Sequence, residues 1–274
     1  MQPTKARGPR IGAGIGIAGV AVTLLATLLL AASAHAAQAP IHPGVMTFTK
    51  GAQCTSNFIF RRDGKTFIGQ AAHCSGTGSA DETDGCRAKS LPLGTTVRVE
   101  GAKRPGTMAY NSWLTMQRTG ERSANACAYN DLALVKLSRF DARRVDPSIP
   151  VYGGPRGVGE AAAGDKVYTY GNSSLRGGAS ALSPKTGRVI ERTGNGWSYT
   201  VYTATPGVPG DSGSAFLNAN GQALGVLSTV AIAPLAGSNG VGSIRRELDY
   251  ARAHGFKDLR LLSGTAPFRP GGLG

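Results

Sequence analysis

The sequence predicts an all-β fold in two halves, and three observations support this prediction. Glycine accounts for 40 of the 274 residues, which favours many tight turns over long helices. Short segments with β-branched and aromatic residues recur between clusters of Gly, Asn, Asp and Pro, as strands do in sheet proteins. The length suits a pair of small β-barrels, and the content of 41% hydrophobic and 17% charged residues is typical of a globular chain.

The N-terminus predicts a secretory signal peptide at 1–36. An uncharged stretch, 11–34, leads into the small-residue cleavage site Ala34-His35-Ala36. It is preceded by three basic residues, Lys5, Arg7 and Arg10. We expect cleavage after Ala36 rather than Ala39, giving a secreted, extracellular protein with no stable membrane association. The alternative is an uncleaved anchor, because the stretch is long enough to span a bilayer.

Short strands are predicted along the rest of the chain. After a short N-terminal segment (37–44), the first half (45–145) has candidate strands at 45–49, 54–61, 66–71, 96–100, 106–113 and 132–137. A Pro- and Gly-rich loop at 141–164 leads into the second half (146–242), with candidate strands at 166–170, 187–192, 197–203, 214–217 and 223–232. Between the last two, Asn220-Gly221 predicts a type I′ hairpin turn.

Only the last segment, 243–274, is predicted to contain a helix. Apolar residues there have helical spacing, a serine can cap the start and a glycine can end it. These residues are Ile244, Leu248, Ala251, Ser243 and Gly255.

The chain is basic. Its formal charge is +14, and losing the three basic residues of the signal peptide leaves +11. A positive field of this size attracts anionic polymers or nucleic acid. The basic residues are dispersed, however, and aromatic and basic residues do not alternate in any stretch. We therefore predict a solvated basic surface and no nucleic-acid binding.

Four cysteines follow the signal peptide: Cys54, Cys74, Cys86 and Cys127. Export permits disulfides, and four cysteines allow three pairings between which spacing cannot choose. No pair has C-x-x-C spacing, so the cysteines give little indication of a zinc or redox site. We predict neither a metal nor a cofactor.

Ser212 is the candidate nucleophile. It lies in Gly210-Asp211-Ser212-Gly213, where the glycines allow a sharp turn that can aim the amides of Gly210 and Ser212 at one spot. A serine hydroxyl needs an adjacent base, and two such amides form an oxyanion hole worth about 3–4 kcal/mol per donor. Glycine and serine also form ordinary turns, so this motif alone leaves the function open.

His73 is the candidate base. Two other histidines follow the signal peptide: His42 in what we expect to be a flexible start, and His254 at the end of the predicted helix, where a histidine often only complements the helix dipole. His73 instead follows a strand and precedes Cys74, whose disulfide would hold the backbone in place. A hydrogen-bonded core histidine is the alternative.

Asp131 is the candidate carboxylate that orients the base. It opens the apolar segment 132–137 and can reach inward where that strand begins. Asp81 and Asp84 are nearer to the histidine in sequence but lie in a polar loop. An ordinary aspartate at a strand start is the other alternative. The order His73, Asp131, Ser212 is one of the known triad orders.

These motifs resemble those of the chymotrypsin/trypsin family of serine proteases. Ala71-Ala72-His73-Cys74 is similar to the family's histidine motif, Asp131-Leu132-Ala133-Leu134 to its aspartate motif and Gly210-Asp211-Ser212-Gly213 to its serine motif. The resemblance extends over 45–254. It implies two six-stranded antiparallel β-barrels with the site between them and a C-terminal helix. It also favours a Cys54–Cys74 disulfide, which leaves Cys86 to pair with Cys127.

The resemblance implies substrate-binding positions as well. Ser228 matches a serine beside the triad aspartate, and 228–230 is then the edge on which an extended peptide adds. Pro206 falls near the base of the primary specificity pocket, where trypsin-like enzymes have an aspartate, so a preference for Arg or Lys is disfavoured. Val230 stands where a glycine keeps the pocket open, which favours a small or medium apolar side chain in the substrate.

One departure from the family concerns activation. Animal members insert a new N-terminus, Ile-Val-Gly-Gly, that pairs with the aspartate before the serine. Residues 42–45 here read His-Pro-Gly-Val, so Asp211 must have another partner. The absence of a cysteine pair around the serine loop resembles bacterial members.

Three functions are compatible with these observations. The first is a secreted, monomeric serine endopeptidase that hydrolyses peptide or protein substrates through an acyl-enzyme. The second is a non-catalytic binding module on a protease fold whose basic surface binds anionic envelope polymers, since a fold does not determine a function. The third is a serine esterase on the same fold.

Overall fold

The computed structural model describes residues 39–79, 82–230 and 236–271, together with Met1 and Gly8. The predicted signal peptide, apart from these two positions, lies outside the described residues. In the described part, no helix is long and apolar enough to cross a membrane. Residues 39–44 are not a flexible start, because Ile41 is fully buried and forms a backbone bridge with Val145.

The described residues form strands β1–β14 and helices α1–α3. The strands of the first half are β1 (Met46–Thr49), β2 (Ala52–Thr55), β3 (Ile59–Arg62), β4 (Lys65–Ala71), β5 (Thr96–Val99), β6 (Gly106–Asn111) and β7 (Leu132–Lys136). Those of the second half are β8 (Lys166–Tyr170), β9 (Pro184–Thr193), β10 (Ser198–Thr203), β11 (Ala215–Asn218), β12 (Ala223–Val230) and β13 (Asn239–Ser243). The helices are α1 (Ser112–Thr119), α2 (Ala124–Tyr129) and α3 (Ile244–Ala253), and β14 (Arg260–Leu261) follows.

The first half is an antiparallel sheet in the order β14-β3-β4-β7-β6-β5-β1-β2. Strands β2 and β3 lie towards opposite ends of this order, yet only residues 56–58 separate them along the chain. Within that short link, the amide of Asn57 donates to Gly69 O at 2.8 Å. The sheet must therefore curl around its core. If β2 and β3 are counted as one bent strand, β1–β7 correspond to the six strands of the predicted barrel. The sheet differs from that barrel because β14 is added beside β3.

The second half is the closed six-stranded barrel that we predicted, in the order β10-β13-β12-β11-β8-β9. Its interior is filled by fully buried apolar side chains that include Val167, Tyr199 and Phe216. We did not predict β13, because Gly240 and Gly242 interrupt its apolar pattern. The predicted strand 223–232 forms as β12 over Ala223–Val230, and residues 231–235 lie outside the described part.

Two further local predictions were wrong. Only one helix was expected, but α1 and α2 also form; the predicted strand 106–113 ends at Asn111, whose side chain accepts a hydrogen bond from Leu114 N and caps α1. The type I′ turn does not form, because Gly221 has a positive φ of 71° but Asn220 does not. Ser243 precedes α3 as expected, although its side chain makes no capping hydrogen bond.

Both disulfides implied by the resemblance are present. Cys54–Cys74 joins β2 to the 3-10 turn Ala72–Ser75, which contains His73. Cys86–Cys127 joins the loop after this turn to α2. The second bridge joins cysteines with a sequence separation of 41 and closes a loop that contains β5, β6 and α1.

We expect the double substitution Cys86→Ala/Cys127→Ala to lower the free energy of unfolding by about 4 kcal/mol, because an open loop of this length gives the unfolded chain more entropy. Urea denaturation of the purified domain measures the change. Ser79→Ala, an exposed position before the same loop, is the control. An unchanged midpoint in the double variant would contradict the prediction.

Candidate active site

The pairing of β4 with β7 brings two of the predicted catalytic residues together. Ala71 lies opposite Leu132, so the residues just beyond them are neighbours. Ala72 N donates to Asp131 O at 2.8 Å, and His73 N donates to Asp131 Oδ1 at 2.9 Å. Nδ1 of the His73 ring lies 2.7 Å from Asp131 Oδ2. Backbone and ring of His73 are thus both held by one aspartate.

This geometry determines the tautomer of His73. An ionised carboxylate only accepts hydrogen bonds, so the Nδ1–H must donate to Asp131 and Nε2 is left as an acceptor. Burial lowers the pKa of His73, but the charge of Asp131 and the hydrogen bond to it act the other way, and the net direction is upward from 6.5. The ring is therefore suited to take up a proton at Nε2.

The carboxylate of Asp131 receives a third hydrogen bond, and this one comes from the second half of the chain. The side chain of Asp131 is 4% exposed, and its Oδ2 accepts from Ser228 Oγ at 2.6 Å. The rival Asp84 instead accepts from Cys86 N and pairs with Arg87 in its own loop. Asp81, the other rival, lies outside the described residues.

Ser212 lies on a loop that only glycines can form. Gly213 has a φ of +88°, and a Cβ there would lie 2.5 Å from Thr55 O. Thr55 N in turn donates to Ser212 O at 2.9 Å, which ties the loop to β2. Within the described part, no hydrogen bond joins the Ser212 hydroxyl to His73, although such contacts often tighten only when substrate binds.

The amides of Gly210 and Ser212 differ from those around them. The amides of Asp211, Gly213 and Ser214 all donate to backbone carbonyls, whereas neither Gly210 N nor Ser212 N has a partner among the described residues. The carbonyls of the same two peptide units are held: Pro209 O accepts from Ser173 Oγ at 2.6 Å, and Asp211 O accepts from Ser214 N at 3.0 Å. Both free amides thus have a fixed orientation, as a preorganised oxyanion hole requires.

Asp211 is held by two internal cations. The carboxylate is fully buried and accepts from Arg176 through both oxygens and from Lys185 Nζ at 2.6 Å. Burial raises the pKa of Asp211, but the hydrogen bonds and charges of Arg176 and Lys185 outweigh it, so the net direction is downward. We did not predict these two residues; the only signal was that Asp211 needed a partner.

The predicted specificity positions lie near this cluster. Pro206 O accepts from Lys185 Nζ at 3.0 Å, and Gly207 N donates to Asn239 Oδ1 at 2.9 Å. The backbone of Val230 pairs with Asn239, whereas its side chain lies outside what the structure describes. Two clusters of potential metal ligands, around Cys54–Cys74 and Cys86–Cys127, contain sulfurs joined in disulfides, which are not thiolate ligands.

Comparison with known proteins gives one family match. Residues 58–226 match the trypsin-like peptidase domain. No curated protein sequence matches the chain significantly.

Solved structures share the fold. Thermobifida fusca Protease A is 21% identical, with a TM-score of 0.53 over 82% of this chain and 99% of that one. A glutamic acid-specific serine protease that uses a histidine triad in substrate binding is 18% identical, with a TM-score of 0.50 over 81% of this chain and all of that one. The fold is thus chymotrypsin-like.

We expect Arg176→Met and Lys185→Met to be tolerated singly but not together. Either cation alone compensates Asp211, whereas losing both leaves a buried, unpaired carboxylate, at a cost of about 3–5 kcal/mol. A double-mutant cycle in urea measures this coupling, and repeating the cycle in Asp211→Asn should abolish it. If the two losses in free energy of unfolding simply add in the protein that retains Asp211, the assignment is wrong.

Proposed function

Because the chain belongs to the trypsin-like peptidase domain family, we propose that it is a secreted serine endopeptidase in which Ser212 is the nucleophile, His73 the base and Asp131 the residue that orients the base. One observation above all supports this: His73 Nδ1 lies 2.7 Å from a buried carboxylate, with Nε2 left to accept a proton.

The reaction follows from these groups. His73 Nε2 removes the Ser212 hydroxyl proton as the oxygen attacks the peptide carbonyl. The negative oxygen of the tetrahedral intermediate is stabilised by the free amides of Gly210 and Ser212. The intermediate collapses when protonated His73 gives its proton to the leaving amine, which leaves an acyl-enzyme. Water then attacks the ester carbonyl as His73 takes its proton. The second tetrahedral intermediate collapses as His73 gives this proton to Ser212 Oγ, which releases the acid and regenerates the hydroxyl.

The substrate is proposed to bind as an extended strand along 228–230. Strand β11 pairs with β12 only over Ala223–Val226, so the edge of 228–230 extends beyond that neighbour while the other edge pairs with β13. An added strand gains main-chain hydrogen bonds here irrespective of its sequence. This arrangement suits a peptide or protein substrate.

Export and a monomeric state complete the proposal. Two disulfides are typical of proteins that mature in an oxidising compartment, which supports removal of 1–36 during secretion. N-terminal sequencing of the secreted form tests the predicted cleavage after Ala36, and we expect Ala37 as the first residue. A form that retains 1–36 would favour the anchor.

We expect a fluorophosphonate probe to label the wild type and not Ser212→Ala, because only an activated serine attacks it. The same substitution should abolish peptide turnover while leaving the fold intact by circular dichroism.

Two outcomes would favour another function. Correctly processed wild type that neither labels nor cleaves any peptide, yet binds anionic polymers in a salt-sensitive way, would establish the binding module instead. Turnover of ester substrates without cleavage of any peptide would favour the esterase.

The pH profile should report His73. Because the reaction needs neutral His73 and its pKa is raised above 6.5, kcat/KM should fall as the pH drops through a midpoint above 6.5. Asp131→Asn removes the charge that raises the pKa, so we expect the midpoint to move to lower pH and kcat to fall about ten-thousand-fold. An unmoved midpoint would show that another group titrates.

Cleavage of a peptide library should show small or medium apolar side chains before the scissile bond. At the proposed pocket base, the carbonyl of Pro206 accepts a hydrogen bond from Lys185. Lys185 and Arg176 share one carboxylate, that of Asp211, so cations outnumber acids near this base and Arg and Lys in the substrate should be poor. Val230→Gly should extend cleavage to aromatic residues. Preferred cleavage after Arg or Lys would contradict this assignment.

A further inference from the structure

A second carboxyl group lies behind the candidate catalytic aspartate. Glu247 is in the first turn of α3 and is fully buried. Gly242 makes room for it, since a Cβ at that position would lie 2.6 Å from Glu247 Oε1. The mechanism described so far does not use this residue. The other charged residues of α3 are exposed or half-buried, so the full burial of this carboxyl group needs an explanation.

Glu247 contacts the backbone of Asp131. Oε1 accepts a hydrogen bond from Asp131 N at 3.0 Å, across 116 residues of sequence. The carbonyl of the same peptide unit, Asn130 O, accepts from Ser112 Oγ at 2.8 Å. The peptide unit that precedes the Asp131 side chain is therefore held from both sides, by α3 on one and by the start of α1 on the other.

We propose that Glu247 is a positioning residue, which aligns the Asp131 carboxylate with His73 by accepting the Asp131 amide hydrogen. This inference rests on the proposed function. A displacement of about 1 Å in a catalytic group can cost about 100-fold in rate, so a peptide unit held on one side only would reduce turnover without affecting substrate binding.

Burial favours the neutral form of Glu247 in this role. Burial raises its pKa well above the usual range; the Asp131 amide acts against this, and the Asp131 charge adds to it. Two titratable groups face it: Asp131 before β7, and the buried Tyr110 on β6. Its Oε2 has no hydrogen-bond partner in the described part. A neutral carboxyl still accepts through its carbonyl oxygen. Among the described residues, a neutral Glu247 leaves Asp131 as the only negative charge behind His73.

Three variants test the proposal. Glu247→Gln keeps a neutral acceptor, Glu247→Met keeps the length but removes it, and Asp249→Asn, an exposed position on the same helix, is the control. We expect Glu247→Met to lower kcat about 10- to 100-fold with KM within about twofold. Glu247→Gln and the control should resemble the wild type, and the acid limb of the pH profile should not move in Glu247→Gln.

The outcomes are distinct. Wild-type kcat in Glu247→Met, or equal losses in Gln and Met variants, would overturn the positioning role. A shift of the acid limb to lower pH in Glu247→Gln would show that Glu247 is ionised and would overturn the neutral form. If wild type itself is inert, the proposed function fails. The downfield proton resonance of the His73–Asp131 hydrogen bond, measured in Ser212→Ala, then tests Glu247 without turnover: it should be retained in the Gln variant and moved in the Met variant.

A second variant, Ser112→Ala, keeps the proposal testable if Glu247→Met does not fold. The same resonance is measured in it. Ser112→Ala releases the other side of the Asn130–Asp131 peptide unit while leaving Glu247 in place. We expect it to move the resonance in the same direction as loss of the Glu247 acceptor. An unmoved resonance in Ser112→Ala would overturn the view that this peptide unit aligns Asp131.

Discussion

The register between β4 and β7 is the constraint on which the candidate site depends. Because Ala71 lies opposite Leu132, the two strands place His73 and Asp131 next to each other. A slip by one residue would exchange the two faces of the strand. Fully buried Leu134 and Val135 prevent it, because they pack into different apolar clusters on opposite faces of β7. The apolar core of the first half thus sets the distance between two polar groups at its edge.

Buried carboxyl groups around this core are stabilised in four different ways. Asp131 accepts hydrogen bonds from His73 and Ser228, and Asp211 is paired with two cations. Asp141 accepts from two backbone amides and a serine and also pairs with Arg144. Burial raises the pKa of Glu247 well above its usual range. Each solution suits what the group must do: a charge is kept beside His73, where it raises the basicity of the ring, and is neutralised or absent where it would only cost solvation energy.

Much of the fold could be predicted because the alternation of residue types within a strand is visible in its own short segment of sequence. The segment Lys166–Tyr170 was predicted with its observed bounds, since its alternation needs no knowledge of the partner strand. Helix α1 was missed because Trp113 and Leu114 continue a strand-like pattern, and only the Asn111 cap signals the change. Arg176 and Lys185 could not be predicted, because what distinguishes them from surface cations is a partner 26 to 35 residues away. Glu247 resembles any helix-start glutamate in sequence, and its role becomes visible only where α3 packs against the start of β7.

The pairing of Asp211 has a consequence for how such an enzyme is controlled. Its counter-ions, Arg176 and Lys185, belong to the same chain, so this carboxylate needs no inserted N-terminus as its partner. Under the proposed function, the fold itself supplies the ion pair that holds the aspartate next to the nucleophile.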